Sequence, residues 1–279
     1  MWWTVPLRTL ALVYGIAIVI LSNTASAQTP APYPEWQNSA GVVLSKLGGP
    51  SDEWQVRLGP GIGDMPIYEG SDRYRIVPAP DVDIRYDDIA FASIGEGIGV
   101  NLLRGQTYRA GIAVAYDTGR DQHATGALNG LGNISAAPMP KLFAQVAVLP
   151  FVFTADVRRS VGGTNGLLGD LGFYIPVIDW KKFAVFIGPS VTFADDRYAE
   201  KYFGVTPAQA GPHSGFSVFN AEGGLMKTNF GISMNYSMDD YWGINTGLAY
   251  ERLLDSVGES PLVRDKNQFG LSITASYKF

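Results

Sequence analysis

With 279 residues, 46% of them apolar, the chain is long enough for one large domain with a substantial buried interior. It has no cysteine, which excludes disulfides, thiolate metal sites and a cysteine nucleophile. A formal charge of −5 leaves no basic face for a nucleic-acid partner.

The first 27 residues read as a cleaved signal peptide. Arg8 marks a short basic region, TLALVYGIAIVILS an apolar core, and Ala25-Ser26-Ala27 a small-x-small cleavage site. The apolar run falls short of the ~20 residues of a spanning helix. The mature chain then begins near Gln28, with residues 28–51 as an amino-terminal periplasmic segment and 52–279 as the folded domain.

Beyond that point helical periodicity is scarce and two-residue alternation recurs, the signature of strands with two unlike faces. Val82, Ile84 and Tyr86 alternate with Asp81, Asp83 and Arg85. Tyr108, Ala110, Ile112, Val114 and Tyr116 alternate with Arg109, Gly111, Ala113, Ala115 and Asp117. The last stretch sets Phe269, Leu271, Ile273, Ala275, Tyr277 and Phe279 against Gln268, Gly270, Ser272, Thr274, Ser276 and Lys278. Aromatics such as Trp54, Tyr86, Trp242 and Tyr250 lie near strand ends on the apolar face, where an interfacial girdle belongs. In lipid a sheet must close on itself to pair its backbone. The pattern predicts an all-β fold, an antiparallel transmembrane β-barrel in the outer membrane of a Gram-negative bacterium.

The expected strands are 52–62, 73–86, 88–103, 106–117, 140–157, 163–178, 182–194, 226–238, 241–254 and 267–279, ten in all. Twelve is the alternative, if Glu96-Gly97 splits the third and GVVLSKL at 41–47 adds another. Short periplasmic turns fall at Asp87, Asp179–Lys181 and Asp239–Asp240. Segments 63–72, 158–162, 195–225 and 255–266 become extracellular loops, while 118–139 falls on the periplasmic side.

Little in the sequence carries catalytic chemistry. His123 and His213 are isolated in loop-like sequence with no ligand spacing, so no metal or cofactor is expected. Ser214 beside His213 lacks an acidic orienter. GPGIG at 59–63 is followed by no Lys-Ser/Thr and no helix, so it reads as a glycine-rich strand end. Asp81, Asp83 and Arg85 read as lumen charges that pair across the barrel. Pro78 and Pro80 sit inside a strand, where each removes a ladder donor; a bulge or an irregular passage is expected there.

At these prolines the chain resembles the MipA/OmpV family of outer-membrane proteins. The family pattern is carried by Tyr68, Gly70-Ser71-Asp72, Tyr74-Arg75, Pro78 and Pro80. Gly119-Arg120-Asp121 with Leu128-Asn129-Gly130-Leu131-Gly132, YFGVTPAQA at 202–210 and YERLLDSVGESPLV at 250–263 extend it. The resemblance implies a non-enzymatic barrel, in the founding member a scaffold joining a lytic transglycosylase to a penicillin-binding protein of murein synthesis. It equally covers channel-like and adhesive members, so a narrow porin and a surface adhesin are the alternatives. For a scaffold, Arg120, Asp121, Leu128 and Leu131 of segment 118–139 are the expected partner contacts. The terminal Phe279 resembles the signal read by the barrel-assembly machinery, and outer-membrane lipid is the remaining partner.

Overall fold

The computed structural model describes residues 53–180, 182–211 and 215–279. The expected signal peptide, the segment 28–51, the possible strand at 41–47 and the pair His213-Ser214 lie outside the described residues.

The alternating stretches form one antiparallel sheet of 14 β segments. These are β1 (Trp54–Gly59), β2 (Gly61–Pro66), β3 (Tyr74–Pro78), β4 (Asp81–Tyr86), β5 (Ala90–Ser93), β6 (Gly97–Arg104) and β7 (Tyr108–Asp117). They continue with β8 (Ala137–Val148), β9 (Phe151–Arg159), β10 (Leu167–Trp180), β11 (Phe183–Ala194), β12 (Gly224–Ser237), β13 (Trp242–Leu253) and β14 (Asn267–Lys278). Two short helices, α1 (Asp196–Phe203) and α2 (Asp255–Gly258), lie between strands.

β1 and β2 make one barrel strand interrupted at Pro60, and β3 and β4 another interrupted at Ala79-Pro80. Their mutual register runs through without a shift, with Gly59 opposite Asp81 and Ile62 opposite Pro78. The bulge expected at Pro78 and Pro80 is therefore absent. β14 closes the ring by pairing Lys278 with Arg57 of β1 and Ile273 with Ile62 of β2. The barrel has 12 strands.

Twelve replaces ten for two local reasons. The expected third strand turns back at Ile94–Glu96, as the Glu96-Gly97 alternative had it. The expected strand 140–157 folds at Leu149-Pro150 into the hairpin β8–β9. The first split reverses the direction of the chain through 118–139 and the second restores it. Segment 118–136 consequently emerges with the long loops, opposite the end at which sequence parity put it.

Faces follow the alternation. On β14, Gln268, Gly270, Thr274 and Ser276 are buried toward the lumen, while Phe269, Leu271 and Ile273 are exposed on the outer wall. Aromatic pairs collect at the strand ends. Trp54 lies 4.8 Å from Tyr86 and Trp242 5.1 Å from Tyr277 at one end, and Tyr250 lies 5.2 Å from Phe269 at the other. No described helix is long and apolar enough to cross a membrane.

Candidate functional site: a capped lumen and a short-turn face

The lumen is filled by paired charge. Asp81, Asp83 and Arg85 point inward together, and Arg57 reaches Asp81 at 2.5 Å and Asp83 at 3.4 Å. Arg85 joins Asp83 at 2.8 Å to Glu96 at 2.9 Å. Arg109 pairs with the other oxygen of Glu96, donates to Gln145 at 2.6 Å and lies over the rings of Phe91 and Phe143. Across the lumen Arg158 bridges Asp156 at 2.6 Å and Asp170. The inward-facing charges pair as expected, but along one strand or with neighbouring strands and the adjacent hairpin tip, not across the barrel. Buried ions are retained only where partners compensate their desolvation, and here each arginine has two carboxylates or a carboxylate and an amide.

One end is closed by a cap. Loop 195–223 carries α1, whose amino terminus is capped by the Asp195 side chain accepting the Tyr198 N–H at 2.9 Å. Its apolar side turns into the barrel mouth. Tyr198, Ala199 and Phe203 pack on the inward-facing Met139, Leu168, Met226 and Leu253. A second apolar cluster joins Tyr68 with Leu128 and Leu131, Val205, Phe216 and Leu262, drawing one or more residues from each of four loops.

Polar ties lock these loops. Tyr68 donates to the Leu262 carbonyl at 3.1 Å, and Arg120 to the Tyr202 carbonyl at 2.7 Å. Tyr202 donates to Asp117 at 2.6 Å, and Ser260 to the Phe203 carbonyl at 2.5 Å. Lys227 of β12 fastens loop to wall, reaching Glu69 at 2.6 Å and Glu251 at 2.9 Å. Burial pushes the phenols of Tyr68, Tyr198 and Tyr202 up and the Arg120 guanidinium down.

The residues singled out in the sequence belong to this cap. Gly70 has φ +98°, and a Cβ there would meet a methyl of Val263 at 2.9 Å, so only glycine fits. Ser71 is buried; its hydroxyl accepts the Arg73 N–H at 3.0 Å, and its carbonyl accepts from Gln268 at 3.1 Å. Tyr74 accepts the Phe269 N–H at 3.1 Å, while Asp72 is exposed. Arg75 turns inward, and Pro78 and Pro80 turn outward. Arg120 is bridged to Ile134 and buried, and Asp121 accepts the His123 N–H at 2.9 Å. Leu128 and Leu131, expected as partner contacts, are 1% and 3% exposed and serve as anchors inside the cap. Among the described residues no group of His, Asp and Glu is arranged to hold a metal.

Among the described residues the opposite end has tight turns, at 87–89, 105–107, 149–150 and 238–241. Short turns are periplasmic in bacterial barrels of this kind. Here the lumen opens into a polar concavity of about 350 Å³ lined by Gln55, Arg57, Asn235, Asp239, Asp240 and Lys278. Asp239 accepts the N–H groups of Tyr241 at 2.8 Å and Trp242 at 2.7 Å. Those donors hold its carboxyl below the usual range, so it stays ionised. Sequence reasoning named the turn Asp239–Asp240 but not the concavity, because its walls come from strands far apart in the chain. Phe279 is tied to this end through its N–H to the Val56 carbonyl at 2.9 Å.

Comparison with known proteins agrees with the architecture. The family described as MltA-interacting protein MipA matches residues 58–279. The outer membrane protein OmpV of Vibrio cholerae is 25% identical over 173 residues, 62% of this chain and 65% of that protein. Omp26La, an outer membrane protein of Vibrio anguillarum, matches to the same extent. The match thus spans just under two thirds of these relatives. Among solved barrels, the NanC porin superposes with a TM-score of 0.41 at 11% identity, over 81% of this chain and all of that one. The translocator domain of the autotransporter NalP from Neisseria meningitidis gives 0.42 at 11%, over 90% of this chain and 100% of that one. The chain belongs to the MipA family and is an outer-membrane β-barrel.

Proposed function

We propose that the protein is a non-enzymatic docking barrel whose short-turn end holds a periplasmic lytic transglycosylase and, through it, a penicillin-binding protein. The family description, MltA-interacting protein, supplies the kind of partner. The observation that carries the reading is the unequal state of the two ends. The mouth is sealed by an apolar cap tied to the wall, and the ion pairs of the lumen engage one another. The periplasmic end presents a polar concavity rimmed by exposed Asp240, with exposed Asp87 on a neighbouring turn. Such a barrel offers a partner a surface at the end that faces the murein layer.

The test is capture of a lytic transglycosylase by the tagged, detergent-solubilised full chain. Asp87→Lys with Asp240→Lys reverses charge at the rim and is expected to weaken recovery about five- to tenfold, roughly 1 kcal/mol. Shortening the cap loop between Gln122 and Asn133 is expected to leave recovery unchanged. Recovery lost with the loop and kept with the charge reversals would overturn the assignment.

A further inference from the structure

The wall lacks a rung of its ladder in one place. β3 pairs with β2 from Tyr74↔Pro66 to Pro78↔Ile62, and among the described residues no strand pairs with its other side. The cause is the short β5–β6 hairpin. Its tip, Ile94–Glu96, reaches the preceding strand only as high as the Ile94 N–H on the Val82 carbonyl, 3.1 Å. On the far side β6 pairs with β7 only as far as Ile98↔Val114, leaving the top of β7 paired with β8 alone. Residues 74–80 and the top of β7 therefore flank a break above the hairpin tip.

The two prolines lie on that break. The Ala79 N–H donates to the Gly61 carbonyl at 2.9 Å. Odd-numbered residues of β3 thus aim their backbone groups at β2, and even-numbered ones aim theirs at the break. Pro78 and Pro80 are even-numbered and have no N–H. Two donors that an open edge would strand are absent, the way natural edges are blunted. An added strand would find those donors missing, so the prolines fit a permanent opening and not a vacant strand position.

Outside the break the side chains are apolar, and inside two apolar residues lie between the inward-facing Arg75 and Asp117 above and the ion pairs below. Outside, Ile76 is 75% and Ile98 71% exposed, with Ile94 between them and Tyr74 and Tyr116 above at the level of the aromatic girdle. The break thus opens into hydrocarbon. Inside, Val77 is buried, and Ala115 packs against the cap cluster of Met139 and Tyr198. The ion-paired Glu96 and Arg109 lie below as a floor.

We propose that this break is a lateral port that admits the hydrocarbon chain of an amphiphile from the bilayer to the apolar underside of the cap. The carbonyls of Ile76 and Pro78 face the port and accept from a hydroxyl, amide or ammonium at the polar end of that amphiphile. This goes beyond the docking role and stands independently of it.

Photo-crosslinking of the full chain in phosphatidylcholine vesicles tests the port. Two probes are used, a diazirine-bearing hexadecanol and a phosphatidylcholine with the same diazirine on one acyl chain. Crosslinks are expected on the inward-facing Val77, Ala115 and Met139 as well as on the outer residues Ile98 and Leu142. Ala115→Trp, or Val77→Trp if the first does not fold, is expected to cut the inner crosslinks about tenfold and spare the outer ones. Inner crosslinks from both probes identify a bilayer lipid chain as the occupant, and from hexadecanol alone a free amphiphile; either supports the port. Crosslinks confined to the outer wall, or inner ones insensitive to both tryptophans, overturn it.

Discussion

Glu96 sits at the tip of the β5–β6 hairpin, 3% exposed, and turns into the lumen to meet Arg85 and Arg109. Removing one member of a buried ion cluster leaves its partners uncompensated, which typically costs about 3–5 kcal/mol. Glu96→Ala is expected to lower stability by about that much, read from urea unfolding of the refolded barrel; a loss below about 1 kcal/mol would show that solvent screens the cluster. The alternation made it legible that Asp81, Asp83 and Arg85 share the inner face. It did not show that Glu96 completes their network, since the partner across the sheet depends on register. Leu128 and Leu131 mark a different limit. Leucines in a loop rich in glycine and asparagine read as contacts for something outside the chain, whereas they pack on Tyr68 and Leu262, more than 50 residues away in sequence.

At the scale of elements, strand faces and most turns were legible because period two is local. The hairpin at Leu149-Pro150 was hidden because apolar residues surround it on both sides and no Gly, Asn or Asp marks the turn. The β5–β6 turn was legible through Glu96-Gly97, yet its consequence for segment 118–136 depended on counting both splits. The cap was least legible, since α1 is only 8 residues long and its apolar side is matched to wall residues from five strands. Its chemistry gives a pH test. Burial raises the Tyr198 and Tyr202 phenols above their ordinary value of 10.0. A raised phenol contributes stability that is complete below the unfolded value and lost as pH rises toward the folded one. Cleavage of loop 195–223 by proteinase K is therefore expected to rise above about pH 10, with Tyr198→Phe moving the onset upward. Cleavage that stays flat to about pH 11 would mean that the tyrosines do not hold the cap.

For the whole molecule, family membership, the 12-strand ring and the capped mouth combine into a barrel with one capped end and one short-turn end. The sequence pointed to the membrane and to the family, but parity of a ten-strand count set segment 118–139 with the short turns, whereas it emerges with the long loops. The orientation of segment 118–136 is thus the claim on which the docking reading turns. The chain has no cysteine, so single introduced thiols report without background. Asn129 in the cap and Asp240 in a short turn are both exposed. The measurement is labelling of Asn129→Cys and Asp240→Cys in intact cells by a maleimide carrying a polyethylene glycol chain too large for porins. Immediate labelling at 129, with labelling at 240 only after the outer membrane is permeabilised, is the predicted result; the reverse order would contradict the account.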